Sequence, residues 1–102
     1  MIPNSKSSTV TMTANSVSAS VGLPVGGGDQ LIVFNRGPAD GFIEVSNNAN
    51  LPAVVPAVGT PGSFLIAANQ PATVIGLKGT ETFVSAVSSG NAQMFFSRAK
   101  II

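Results

Sequence analysis

Short runs of alternating apolar and polar residues, cut by glycine and proline, fill this chain, and no window carries a sustained helical stripe. Alternation with a period of two places every second side chain on one face of a strand. Turn signals recur roughly every 8–12 residues, the spacing of small all-β domains. The pattern predicts an all-β fold: a small antiparallel β-sandwich or jelly roll of about seven or eight short strands. A small barrel is the alternative.

Residues 8–21 open the pattern. Val10, Met12 and Ala14 alternate with Thr9, Thr11 and Thr13, and the apolar phase then moves to Val17, Ala19 and Val21. A one-residue slip turns a strand's buried face outward, which predicts a bulge or break near Asn15 and Ser16. Residues 23–29 (LPVGGGD) read as a loop. Residues 30–35 (QLIVFN) read as a central strand, 36–41 as a turn, and 42–46 (FIEVS) as a strand pairing back in a hairpin.

Residues 47–50 are a turn by composition, and Pro52 and Pro56 limit 51–60 to an extended edge segment. Strands follow at 63–67, 72–77, 81–88 and 92–99, with turns at 68–71 and 78–80 and a hairpin tip at 89–91. In the third of these, Phe83 and Val87 take one face and Val84 and Ala86 the other. The expected core is Leu31, Val33, Phe34, Phe42, Ile43, Val45, Phe64, Ile66, Val74, Ile75, Phe83, Val84, Met94 and Phe96, with some of these turned to a partner instead.

One domain over 1–102 fits the length, with an extended N-terminal arm at 1–8. The chemistry available to it is sparse. The chain has no histidine, cysteine, tyrosine or tryptophan, and 9% of its residues are charged, against about 25% in ordinary domains. Nucleophilic catalysis lacks a base, since neither Lys6 nor Lys78 sits in a serine signature. Asp29 and Asp40 fall in turns, and Glu44 and Glu81 at outward strand positions, so no acid–base pair is built.

Gly26, Gly27 and Gly28 lead into Asp29, which would repel a phosphate. No zinc set exists. The reading is a non-enzyme with no catalytic, metal or cofactor site. A net charge of +1 with no basic cluster argues against nucleic acid, and Arg98 and Lys100 read as a solvated tail. No apolar run approaches the roughly 20 residues that cross a bilayer, and the amino-terminal stretch is no secretory signal. The expectation is a soluble protein, cytoplasmic at synthesis.

Serine, threonine, asparagine and glutamine total 30 residues against nine charges. So neutral a surface favours association. Met1, Ile2, Pro3, Ile101 and Ile102 make both ends apolar. They are the candidate interface residues, docking on a neighbouring subunit or on the chain's own core.

Three stretches, VFNRGPADGFIEV, PGSFLIAANQPATVIGLKGT and ETFVSAVSSGNAQMFFSRA, share a rhythm. An apolar strand leads to Asn35 and a glycine turn, then to the aromatic-led Phe42-Ile43-Glu44-Val45. Pro61-Gly62-Ser63, a Pro71-Ala72 turn and a final pair of strands complete it. Over residues 30–98 this resembles the small β-sandwich head decoration or cement proteins of tailed bacteriophages. The resemblance implies a structural virion protein on the capsid surface. It implies a homotrimer whose partner is the major capsid protein or another virion protein, with no active site. Phe95 and Phe96 depart from the valine-rich ending of such proteins. Two other readings are a head–tail joining or tail component, and a host-glycan binding module. The latter is weakened by the absence of tyrosine and tryptophan.

Overall fold

The computed structural model describes residues 2–3, 9–24, 28–57, 59 and 61–100, with the backbone alone at Ile2, Pro3 and Lys100. Among them are nine strands: β1 (Ile2–Pro3), β2 (Thr9–Ala14), β3 (Ala19–Gly22), β4 (Gln30–Pro38), β5 (Gly41–Ser46), β6 (Phe64–Ile66), β7 (Thr73–Gly76), β8 (Phe83–Ser88) and β9 (Ala92–Lys100). They form two antiparallel sheets. The first runs β1-β9-β4-β7, with β2 also paired to β9, and the second runs β3-β8-β5-β6.

The order follows from folding the chain once between β5 and β6. That fold sets β5 against β6, β4 against β7, β3 against β8 and β2 against β9, and all four pairs are present. Rolling this ribbon adds β4 beside β9 and β5 beside β8. The result is a β-sandwich with the connectivity of a jelly roll.

The expected break near Asn15 and Ser16 is where the chain leaves the first sheet for the second. β2 ends at Ala14 and β3 starts at Ala19. The phase slip is the mark of that crossing, because each sheet presents its own inner face.

Two expected hairpins do not form. β4 and β5 belong to different sheets, as do β8 and β9. The 36–41 turn is a corner between sheets, taken through Gly37 at φ 77° and a cis Gly37–Pro38 bond. A Cβ on Gly37 would lie 2.8 Å from Asn69 Nδ2, so glycine suits the position both sterically and conformationally. The pair that does follow directly in sequence and in space is β5 with β6, joined by residues 47–63.

The core lies between the sheets. Leu31, Val33, Ile43, Ile66, Val84, Met94 and Phe96 fill it, with Ala14, Leu77, Ala86 and Ala92. Val45 and Ile75 pack against it half-buried. The remaining expected core residues depart. Phe34, Phe42 and Phe83 are half-buried and Phe64 and Val74 exposed. Register gives the reason. Phe34 alternates with buried Val33 and Asn35 and so points outward, directly opposite Phe95 on β9. Phe42 and Phe83 likewise lie on the outer face of the second sheet, because Ile43 and Val84 take the inner one.

Candidate functional site

The carboxylates of Asp40, Glu44 and Glu81 bond within the fold itself. Asp40 Oδ1 accepts from the Ala68 N–H at 2.8 Å. Glu44 Oε1 accepts from Ser63 Oγ at 2.9 Å. Glu81 is not on a strand; it precedes β8 and accepts from the N–H groups of Lys78 and Gly79 at 3.0 Å. Those bonds favour the carboxylate and hold its pKa below the ordinary value, the Lys78 N–H contributing most. Among the described residues no three histidine, cysteine, aspartate or glutamate side chains cluster to hold a metal.

Arg98 is not a solvated tail. It faces inward on β9, is 8% exposed, and donates through Nε to the Gly28 carbonyl at 2.8 Å and through Nη1 to that of Pro24 at 3.3 Å. Inward alternation from Met94 and Phe96 carries it there, opposite Leu31.

Of the exposed large apolar side chains, Phe64, Leu65 and Val74 sit on the strands that end the two sheets. Among the described residues β6 ends the second sheet and β7 ends the first, each in a ladder with one neighbouring strand. Phe64 stands opposite buried Ile43, and Ile75 opposite buried Leu31, so both point between the sheets. The sandwich is unfilled there: Ile43, Glu44, Val45, Phe64 and Ile75 line a hollow of about 250 Å³. Phe64 is 56% exposed, and the adjoining Leu65 and Val74 are 50% and 51% exposed.

Phe64 opens into the hollow, while Leu65 and Val74 face the outer sides of the second and first sheets, so the two edge strands expose large apolar side chains on both faces, and such exposure marks an interaction site. Free strand edges also offer backbone donors and acceptors to an added segment. β6 and β7 are three and four residues long, so any such pairing is short. The arrangement can bind an apolar partner. Beside it, the outer face of the first sheet adds Ile32 next to Val74, and the Phe34–Phe95 pair.

Of the interface residues expected from sequence, Met1, Ile101 and Ile102 lie outside the described residues. Ile2 and Pro3 form β1, whose backbone pairs with Lys100 and Ala99 of the same chain. The edge site was hidden in sequence by alternation. Phe64 and Ile75 occupy inward phases, as core residues do, and nothing in the runs shows that two strands end their sheets. The visible signal was the number of phenylalanines: of six, Phe96 alone is fully buried.

Comparison with family models, with curated proteins and with solved structures found no match to this chain.

Proposed function

We propose that this protein is a structural virion subunit, a decoration or cement protein of a tailed-bacteriophage head. In this reading it sits as a homotrimer on or between capsid subunits and has no enzymatic role. The observation that carries the reading is the exposed Phe64 at the hollow it lines with Ile43, Val45 and Ile75, with Leu65 and Val74 exposed on the outer faces of the same two strands. On a lone monomer such an edge is a liability; in an assembly it is covered. The near-neutral surface supports the same reading. Jelly rolls recur in viral capsid proteins, which is an analogy of fold and not of site.

The test is whether the protein copurifies with assembled particles at a fixed copy ratio. Phe64→Lys and Val74→Lys variants are then compared with the parent for oligomeric mass by light scattering and for particle occupancy. The expected result is stoichiometric occupancy, insensitive to salt because few charges take part, and lost in both variants. A full-length protein that stays monomeric and never joins particles rejects the reading. Binding to immobilised glycans in place of particles supports a host-recognition module.

A further inference from the structure

We propose that residues 49–53, within the connection from β5 to β6, form a strap that lifts off the second sheet and re-seats as one unit while both sheets stay folded. The connection joins antiparallel neighbours. Such neighbours need only about 2–5 linking residues. Residues 49–53 belong to the extra length and lie on the outer face of the second sheet, against Ser85 of β8 and Ser20 of β3.

Its attachment there is made by serine side chains, not by a backbone ladder. Ser20 Oγ donates to the Ala49 carbonyl at 2.8 Å, and Ser85 Oγ donates to the Leu51 carbonyl. The Ala53 N–H donates to Ser18 Oγ at 2.8 Å. Pro52 and Pro56 have no N–H to offer a ladder. The connection buries little apolar surface in return. Ala53 is buried, whereas Leu51, Val54 and Val55 are 38%, 50% and 37% exposed. Between strap and sheet lies a hollow of about 300 Å³, lined in part by Ser18, Ser20, Asn50, Leu51 and Ser85.

Both ends are fixed. The Asn48 N–H donates to Ser46 Oγ at 3.1 Å and the Leu51 N–H to the Asn48 carbonyl at 3.2 Å, closing a turn where the connection leaves β5. At the return, Ser63 accepts from the Val54 N–H through Oγ, donates its own N–H to the Val54 carbonyl, and donates Oγ to Glu44. A segment clasped at its ends and held in the middle by hydroxyls that water can replace opens at lower cost than the sheets beneath it.

Native-state hydrogen exchange tests this. In the unaltered protein the Ala53 amide is expected to exchange well ahead of the β8 amides, with little dependence on denaturant. In the Ser20→Ala/Ser85→Ala double variant it should accelerate by about fivefold for each hydroxyl removed, the factor set by one ordinary hydrogen bond. Neither substitution touches Ser18, the partner of the Ala53 N–H, so its acceleration reports movement of the strap, and the Val54 amide, held by Ser63 at the fixed end, should change less. The β8 amides should keep their order relative to β9. Ala53 exchanging at the β8 rate in the unaltered protein overturns the proposal, and this result does not depend on the variant folding. An unchanged Ala53 rate in a folded double variant overturns it equally.

Discussion

The side-chain amide of Asn35 on β4 donates to the Ile66 carbonyl on β6 at 2.9 Å, joining a central strand of one sheet to the edge strand of the other. The same nitrogen donates to the Ala39 carbonyl at 3.0 Å, and Oδ1 accepts from the Gly37 N–H at 2.7 Å. The Asn35 carbonyl accepts from the Asn69 N–H at 2.8 Å. Asn35 is 1% exposed, so these bonds are made away from water. They set the corner at which β4 passes into β5.

Asn35→Leu keeps the volume and strips three side-chain bonds, leaving the Ile66 and Ala39 carbonyls and the Gly37 N–H to find partners. Each orphaned buried group costs about 1–3 kcal/mol, so a loss of about 3 kcal/mol or more is expected in denaturant unfolding. Asn35→Asp should cost at least as much, because it sets a carboxylate against two carbonyls. A melting curve unchanged in both variants removes Asn35 as the tie between sheets.

The phenylalanines divide by face. Phe96 is fully buried, so Phe96→Ala should cost about 3–5 kcal/mol. Phe34 lies half-buried on the outer face, and Phe34→Ala should cost clearly less in the monomer. Chemical denaturation of the two variants side by side checks the order. Equal losses would place Phe34 in the core and contradict the register of β4 against β9.

Much of the strand map was legible in sequence, and less of its assembly. The runs at 30–35, 42–46, 72–77 and 92–99 overlap β4, β5, β7 and β9 closely because alternation is a local property. Pairing is not local. Gly37 and Pro38 signal a reversal, yet the same residues serve a hairpin tip or a corner between sheets. What decides is Asn35, whose side-chain bonds reach across to Ile66. Arg98 was misread for a related reason. A basic residue near the end of a run looks solvated until the carbonyls of Pro24 and Gly28 are brought over it by the fold. The edge site was the least legible, since it depends on which strands come last in each sheet, a matter of pairing between distant parts of the chain.

Acid should weaken the turn between β7 and β8. The folded-state pKa of Glu81 is lowered, so the unfolded chain binds more protons as pH falls. The contribution is fully present above the ordinary value of 4.5 and is lost as pH drops through the folded value. The group is largely exposed, so the effect is small. Thermal melts from pH 6 to pH 3 should show a shallower decline in Glu81→Gln than in the parent. Identical slopes would show that the Lys78 and Gly79 bonds do not persist in solution.

Arg98 should hold the opposite end of the sandwich from the Asn35 corner. Its two donors reach the carbonyls of Pro24 and Gly28. Nearby, the Leu23 N–H bonds the Thr82 carbonyl and the Leu77 N–H bonds the Asp29 carbonyl, each at 2.8 Å. Arg98→Met keeps an apolar stem of similar reach but removes both donors. It should cost about 1–3 kcal/mol, and Arg98→Ala more, because the stem's packing is lost as well. The change should also be local. Amide exchange at Leu23 and Leu77 should accelerate, while Ala39 and Asn69, bonded to the Asn91 and Asn35 carbonyls at the far end, keep their rates relative to the β8 core. Uniform acceleration at both ends would mean that Arg98 supports global stability and does not anchor the loop between β3 and β4.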